Sequence, residues 1–285
     1  MRLKIRHSTV YRYSEAVNFG PHRLMLRPRE EHDRAIESSM LEIVPPHRLR
    51  WQSDVHGNSV AVVEFLEPSE TLRIVSEVVV KQFEPNPFNF ILDPRVSSYP
   101  FAYDEDELPD LEPFRAKLYP HDSEAIAEWL APHWPGVASG HGSKPTVELL
   151  LELNQAINHG MTYVRREEFG VQSPAETLAL GGGSCRDYAV FLIEACRHLG
   201  LAARFVSGYI HSPDEHGSTH AWTEVYLPGA GWKGFDPTSG ILACDLHVPV
   251  AVSRHPGGAS PISGSHSNSS AFLDLDVAVK IEELP

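Results

Sequence analysis

The stretch Gly181-Gly182-Gly183-Ser184-Cys185-Arg186-Asp187-Tyr188-Ala189 decides how the rest of the chain is interpreted. Apolar residues recur at helical spacing over 189–199 and Gly200 follows them, so the sequence predicts a helix that begins at Cys185. Ser184 is a suitable N-cap, and Asp187 three residues later completes a variant of the capping box. Free N–H groups and the dipole at a helix start favour a thiolate over a thiol. Cys185 therefore has the surroundings of a nucleophile, although a lone cysteine there is more often a packing residue.

Composition sets the class of protein. The chain has 285 residues, of which 42% are hydrophobic and 22% charged, with a formal net charge of −14. This length permits two domains, and the negative charge disfavours nucleic acid and anionic membranes as partners. The three cysteines form no disulfide framework. We found no signal peptide and no apolar stretch of membrane-spanning length, so the sequence predicts a cytoplasmic location. The scattered histidines predict neither a metal nor a cofactor.

The first part of the chain, residues 1–84, has the pattern of an antiparallel β-sandwich. Short apolar runs alternate with turn signals such as Asn18-Phe19-Gly20-Pro21 and His56-Gly57-Asn58. The predicted strands fall near residues 3–13, 23–26, 40–44, 60–65 and 72–80. We predict this segment to be a separate domain that carries no catalytic motif.

The next segment, residues 85–145, is broken repeatedly by proline and is predicted to be a linker. One short helix starting at Ser123 is expected in it, and the acidic cluster over 104–110 is interpreted as a solvated surface. At the other end of the chain, residues 253–285 are predicted to form a mobile loop rich in glycine and serine over 253–270, followed by a last strand.

Residues 146–252 show helical and strand patterns and are predicted to be the catalytic core. One helix is expected over 147–160, and Ser173-Pro174-Ala175-Glu176 is a capping box that opens a second, short helix. The helix that begins at Cys185 comes next. Strands are predicted over 203–210, 220–227 and 232–235, with Gly229-Ala230-Gly231 as the hairpin turn between the last two.

A histidine and an aspartate in these strands complete a catalytic constellation. A cysteine nucleophile needs a base, and the base needs a group that fixes its orientation. His220 opens the alternating stretch His220-Ala221-Trp222-Thr223-Glu224-Val225-Tyr226, and Asp236 lies in Gly234-Phe235-Asp236-Pro237-Thr238 on the following strand. Because a hairpin folds the second strand back along the first, Asp236 can reach His220. Cys185, His220 and Asp236 are therefore predicted to be nucleophile, base and orienting residue.

These three stretches resemble the three motifs of the transglutaminase-like superfamily, a papain-related group with a Cys-His-Asp triad. The resemblance covers about residues 146–240, and the β-rich segment before it resembles the N-terminal region of bacterial members. It implies an α+β fold, in which a β-sandwich precedes a papain-like core whose nucleophile starts a helix packed on an antiparallel sheet. It also implies the same roles for Cys185, His220 and Asp236. The superfamily contains peptidases, amidases, cross-linking acyltransferases and some members without catalytic activity.

The chemistry implied is acyl transfer through a thioester on Cys185. Backbone N–H groups at the helix start would stabilise the oxyanion, with a second donor such as Tyr163 or Gln172. We expect a thiol hydrolase that cleaves peptide or isopeptide-type amides. Protein-glutamine transamidation and a catalytically silent binding scaffold remain open, and metal binding by the three triad residues is disfavoured.

Three further residues near these motifs are predicted to have structural roles. Trp222 and Cys196 are predicted to pack in the core, and Arg186 to lie on the outside of its helix. Cys196 is too far along the helix from Cys185 for a disulfide bond, since each residue adds about 1.5 Å. Cys244 lies in no motif.

Overall fold

The computed structural model describes residues 1–134, 142–166, 168–212 and 217–285. Its α-helices are α1 (Leu108–Arg115), α2 (Ser123–Leu130), α3 (Thr146–Gly160), α4 (Pro174–Leu180) and α5 (Cys185–His198). The strands of the first part are β1 (Arg2–Val17), β2 (His22–Leu24), β3 (Arg34–Val44), β4 (His47–Ser53), β5 (Ser59–Phe65), β6 (Ser69–Gln82), β7 (Ser98–Tyr99) and β8 (Lys144–Pro145). The strands of the second part are β9 (Thr162–Tyr163), β10 (Gly182–Gly183), β11 (Ala203–Ile210), β12 (Ser218–Leu227), β13 (Gly231–Asp236), β14 (Ile241–Leu242), β15 (His247–Ser253), β16 (Ile262–Ser263) and β17 (Phe272–Leu284). No described helix is long and apolar enough to cross a membrane.

Two four-stranded antiparallel sheets form the predicted sandwich. Their strand orders are β17-β1-β6-β3 and β16-β2-β5-β4. Alternating side chains of both sheets meet in one apolar core, as expected for stacked sheets. That core contains Tyr13, Val17, Leu24, Leu26, Ile43, Ala61, Val63, Leu72, Ile74 and Ala271. The predicted β-sandwich is confirmed, and β4 is a strand that the sequence pattern did not reveal.

The C-terminal segment completes this sandwich, which corrects the prediction of a mobile loop over 253–270. Within that range β16 pairs with β2, and the N–H of Met25 donates to the carbonyl of Pro261 at 2.8 Å. Ala259 is fully buried there. The predicted last strand is β17, and it pairs with β1 along almost its whole length. Small residues such as glycine and serine favour flexibility, but they also allow this close packing.

The predicted linker, residues 85–145, contains two α-helices in its described part instead of one. Helix α2 begins at the predicted Ser123, whereas α1 is an additional helix that Pro109 and Pro113 do not break. Pro109 lies in the first turn of α1, where proline is tolerated. Leu111 of this helix and Tyr103 before it pack on Ala202 of the core. The linker prediction also includes residues 135–141, which lie outside the described residues.

The second half of the chain is a five-stranded antiparallel sheet of order β14-β13-β12-β11-β15, with α5 packed on it. The Thr223 hydroxyl on β12 donates to the Ala189 carbonyl of α5 at 2.9 Å. Most of α5 is buried, because α2 and α3 contribute to the same core. The predicted helix α5, the three predicted strands β11, β12 and β13, and the hairpin between β12 and β13 are confirmed. Strand β15 is additional.

The sandwich and the core sheet share a buried boundary. The Nδ1 atom of His7 on β1 lies 2.9 Å from the hydroxyl oxygen of Tyr209 on β11, which is hydrogen-bonding distance. Tyr209 also packs in one apolar cluster with side chains from both sheets: Leu3, Ile5, Val78, Val80, Val248, Val250 and Ile281. The two halves of the chain are thus packed against each other on either side of His7.

Candidate active site

The glycine run places the thiol at the start of α5. Gly181 ends α4 in the left-handed conformation, with φ of 62°, which glycine adopts at low cost. A side chain on Gly182 would clash with the backbone carbonyl of Thr162, and one on Gly183 would come within 2.9 Å of the Asp187 Cβ atom, so both positions favour glycine. Gly182 and Gly183 pair in parallel with Thr162 and Tyr163. The backbone therefore turns sharply and delivers Cys185 as the first residue of the helix, as predicted.

A buried carboxylate anchors this helix start. Asp187 accepts the Ser184 N–H at 2.8 Å and the Ser184 hydroxyl at 2.7 Å, within the predicted capping box. Arg166 donates to both of its oxygens at 2.7 and 2.8 Å, and the Gln172 N–H adds a bond of 2.8 Å. Burial alone would raise the pKa of Asp187, but these hydrogen bonds lower it. Asp187 thus stays charged and ties the loop around Arg166 to the residues beside the thiol.

The three predicted site residues come together. The His220 Nε2 atom lies 3.0 Å from Asp236 Oδ2, and the side chain of Asp236 is completely buried. Burial alone would lower the pKa of His220, but hydrogen bonds with Asp236 and Cys185 raise it to about 10. Because Nε2 faces the carboxylate, Nδ1 is the ring nitrogen left for the thiol. The geometry is that of a thiol, an imidazole and a carboxylate in series.

Asp236 has more partners than the sequence suggested. Its Oδ1 accepts the Thr238 N–H at 2.9 Å, and its Oδ2 accepts the Ser239 hydroxyl at 2.6 Å. A second imidazole, that of His247, lies 3.2 Å from the same Oδ2. Burial would raise the pKa of Asp236, but the hydrogen bonds of His220 and His247 outweigh it and lower the pKa. The carboxylate is therefore held in its charged form.

His247 is the site residue that sequence reasoning missed. It opens β15, whose sequence His247-Val248-Pro249-Val250-Ala251-Val252-Ser253 has valine at every second position. That alternation is typical of a strand and could have revealed β15. Nothing in the sequence, however, indicated that β15 lies beside β11 and brings His247 to Asp236.

His220, Asp236 and His247 also have the composition of a transition-metal site, and their ligand atoms lie within 4.8 Å of one another. The hydrogen bonds of His247 argue against coordination. The Cys244 N–H donates to its Nδ1 at 3.2 Å, so Nδ1 is an acceptor and the proton resides on Nε2. A histidine that binds metal through Nε2 normally donates a hydrogen bond through Nδ1. The ring is instead arranged to donate to Asp236.

The two suggested oxyanion donors, Tyr163 and Gln172, differ in their surroundings. Tyr163 lies beside Cys185, and its pKa is raised first by burial and then by the neighbouring thiol. Gln172 is nearly buried, and its side-chain oxygen accepts a hydrogen bond from Thr177 at 3.1 Å. Of the two suggested oxyanion donors, Tyr163 has a side chain that contacts Cys185.

The remaining predictions concern packing. Trp222 is buried against Val206 and Val252, which confirms its place in the core, and its ring meets that of His247 edge-on with centroids 5.2 Å apart. Arg186 is partly exposed, and one of its donors reaches the carbonyl of Arg166 at 3.3 Å.

All three cysteines are free thiols, in different surroundings. Cys196 is fully buried in the core, as predicted, and burial raises the pKa of its thiol to about 12. Cys244 is partly buried, and its pKa is also raised, first by burial. Cys185 is partly exposed at a helix start, beside His220 and Tyr163. It is the thiol whose surroundings suit a nucleophile.

Comparison with known proteins agrees with this fold. Residues 3–81 match the model of the bacterial transglutaminase-like N-terminal region, and residues 137–237 match that of the transglutaminase-like superfamily. A candidate cysteine protease from Cytophaga hutchinsonii has a similar crystal structure, with a TM-score of 0.72 and 19% identity over 100% of this chain and 92% of that one. This likeness shows that the fold is shared.

Two mycobacterial proteins are similar along their whole length. The uncharacterized protein Rv2569c of Mycobacterium tuberculosis is 29% identical over 98% of this chain and 92% of its own. The uncharacterized protein ML0607 of Mycobacterium leprae is 24% identical over 99% of each chain. The fold and the site define a papain-related α+β protein with a cysteine at a helix start. The chain belongs to the transglutaminase-like superfamily, with the N-terminal region of its bacterial members, and this supports cysteine-based acyl transfer in general.

Proposed function

We propose that this protein is a thiol hydrolase that cleaves peptide or isopeptide-type amide bonds through a thioester on Cys185. The observation that carries the proposal is the series of contacts from the buried Asp236 carboxylate through His220 to the thiol at the start of α5. The raised pKa of His220 favours an imidazolium beside the thiol. A thiolate paired with an imidazolium is the nucleophile that such chemistry requires.

The acylation step begins with attack of the Cys185 sulfur on the amide carbonyl carbon. The carbonyl oxygen takes up the negative charge, and we expect the backbone N–H of Cys185 at the helix start and the hydroxyl of Tyr163 beside the thiol to donate to it. As the C–N bond breaks, His220 transfers its Nδ1 proton to the leaving amine. A thioester and a free amine result, and His220 is left neutral.

The deacylation step determines which activity the protein has. Neutral His220 can take a proton from water, and the resulting attack on the thioester releases a carboxylic acid and restores the thiol. If an amine attacks instead, the product is a new amide and the activity is transamidation. We favour water because it is always present and because the sequence shows no evident motif for docking an acceptor lysine. The Cytophaga protein that shares the fold is described as a candidate protease, which agrees with this choice.

Mass spectrometry of the intact protein tests the proposal. The wild-type protein is mixed with a library of glutamine-containing peptides and peptide amides, and samples are quenched in acid. We expect an added acyl mass located on Cys185, which decays when water is the only acceptor. Added amine should divert only a minor part of it into a new amide. A major amine product would identify a transferase, and a protein that forms no adduct with any donor would support the scaffold alternative.

Two variants show whether the adduct depends on the proposed residues. Cys185→Ala should form no adduct, and His220→Ala should form it about 10²–10⁴-fold more slowly, the usual contribution of general acid–base catalysis. His22→Ala is a matched control, because His22 is also a buried histidine but lies in the sandwich, where its Nδ1 contacts the Gly20 carbonyl. It should acylate at the wild-type rate.

A further inference from the structure

His247 occupies a position that the proposed chemistry does not use. Its side chain is 1% exposed and begins β15, outside the three motif stretches that define the triad. The ring lies 6.0 Å from the His220 ring and 5.2 Å from the Trp222 ring, measured between centroids. A buried imidazole between these residues needs partners for both of its ring nitrogens.

The direction of its hydrogen bonds is fixed by the backbone. The Cys244 N–H can only donate, so His247 Nδ1 must accept at 3.2 Å. The ring is therefore the neutral tautomer with its proton on Nε2, and that N–H donates to Asp236 Oδ2 at 3.2 Å. The β15 backbone and the turn at Cys244 thus aim one N–H at the triad carboxylate.

We propose that His247 is a positioning residue that holds the Asp236 carboxylate in the orientation in which it directs His220 toward the thiol, an inference that rests on the proposed function of Cys185. Asp236 Oδ2 accepts hydrogen bonds from His220, His247 and Ser239, so the position of the carboxylate does not depend on the bond to His220 alone. Without His247, the carboxylate loses a donor and gains a void beside Trp222. The carboxylate then holds the His220 ring less firmly in place, and the interaction between the Cys185 thiolate and the His220 imidazolium is weakened.

Hydrogen-bond partners that orient metal-ligating side chains typically matter by about 10–100-fold in activity, and we expect an effect of similar size for a partner that orients Asp236. His247→Ala should lower the rate at which iodoacetamide alkylates Cys185 at pH 6 by that factor, with the acid limb of the rate profile moved to higher pH. His247→Gln keeps an amide N–H within reach of Asp236 and should stay within about threefold of wild type. Among the described residues, the titratable groups in contact with His247 are His220, Asp236 and Cys244.

The experiment measures alkylation of Cys185 against pH by peptide mass spectrometry for wild type, His247→Ala, His247→Gln and the control His22→Ala. Thermal unfolding is recorded for each variant at each pH, so that only folded protein is compared. A lower alkylation rate of Cys185 in His247→Ala, together with a nearly wild-type rate in His247→Gln, supports the positioning role. A His247→Ala profile identical to wild type, or an equal loss in both His247 variants, overturns it. If wild-type Cys185 reacts no faster than Cys196 and Cys244, the proposed function itself fails.

Discussion

At the scale of single residues, the site is built around one buried carboxylate. Asp236 has no exposed surface, and it accepts hydrogen bonds from two imidazoles and a hydroxyl. Such a group would be costly to bury alone, so each partner contributes to keeping it charged. The thiol of Cys185 is the opposite case, because it is partly exposed where a substrate can reach it. A protected carboxylate and an accessible sulfur are what nucleophilic catalysis requires.

The hydroxyl of Tyr163 gives a prediction at this scale. It lies beside Cys185, and the proposed mechanism assigns it the role of an oxyanion donor. Tyr163→Phe should lower kcat by on the order of 10²-fold with little change in KM, because an oxyanion donor acts in the transition state. Steady-state kinetics on an amide identified in the acylation experiment measure both constants.

A second tyrosine provides the control. Tyr99 donates to the carbonyl of Leu199 at 2.7 Å, at the opposite end of α5 from the thiol. Tyr99→Phe removes one hydrogen bond and should lower thermal stability while leaving kcat unchanged. Equal kcat values for Tyr163→Phe and wild type would remove Tyr163 from the mechanism.

The sequence revealed part of this residue-level description. The proximity of Cys185, His220 and Asp236 could be predicted because each lies in a short motif of its own. His247 could not be found, since its role depends on a tertiary contact between two strands that the sequence does not join. The same holds for Arg166, which reaches Asp187 from a stretch without a pattern of its own.

At the scale of elements, the start of α5 depends on the Asp187 ion pair. Asp187 is fully buried, and Arg166 bridges both of its oxygens. Removing one partner of a buried pair leaves the other uncompensated and costs about 3–5 kcal/mol. Asp187→Ala should therefore lower the free energy of unfolding by roughly that amount, measured by urea denaturation.

An exposed ion pair serves as the comparison. Arg12 and Asp274 lie 2.8 Å apart, and each is about half exposed, so Asp274→Ala should cost about 1 kcal/mol or less. If Asp187→Ala were as stable as Asp274→Ala, the ion pair would not anchor the helix start. Loss of stability in Asp187→Ala alone identifies the network around Arg166 as its anchor.

Elements with strong local signals were predicted, and elements that depend on tertiary contacts were not. Capping residues and helical spacing identified α4 and α5 correctly. Helix α1 could not be predicted because its two prolines are typical of a helix break. Its packing on the core through Leu111 is a tertiary contact that no local pattern indicates. Strand β16 has only two residues, and its pairing with β2 gives no alternating pattern to detect.

At the scale of the whole molecule, the two ends of the chain form one sheet. β17 pairs with β1, so the sandwich contains the first and the last strands. Sequence patterns can locate both strands but cannot show that strands so far apart pair, because nothing local joins them. The predicted domains 1–84, 85–145, 146–252 and 253–285 therefore remain a prediction about sequence segments, while the folded sandwich combines the first and the last.

The pairing of the chain ends predicts the effect of changes in β17. Ile281 is 4% exposed and packs between the sandwich and the core sheet, whereas Leu275 on the same strand is 47% exposed. Ile281→Ala should lower the free energy of unfolding by about 2–5 kcal/mol because it leaves a cavity. Leu275→Ala should change it by less than about 1 kcal/mol, since little apolar surface is lost there. Equal losses of unfolding free energy for the two variants in chemical denaturation would show that the Ile281 side of β17 is not buried in the folded protein.

The boundary between the two halves predicts acid sensitivity. Burial lowers the pKa of His7 to about 4, so the unfolded chain binds a proton between pH 6.5 and 4 that the folded chain does not. The free energy of unfolding should therefore fall as pH decreases through this window, by up to roughly 3 kcal/mol. Below about pH 4 both states are protonated and this contribution changes no further. Urea denaturation of wild type and His7→Leu across the window measures it, and an equal pH dependence in both proteins would contradict it.

The central claim is that Cys185 is an activated thiol, and its alkylation by iodoacetamide at mildly acidic pH tests this most directly. One equivalent of reagent is added at pH 5.5, and the three cysteine peptides are quantified by mass spectrometry over time. We expect Cys185 to react much faster than Cys196 and Cys244, and we expect His220→Ala to abolish that difference. Equal, slow labelling of all three thiols in the wild-type protein would contradict the account.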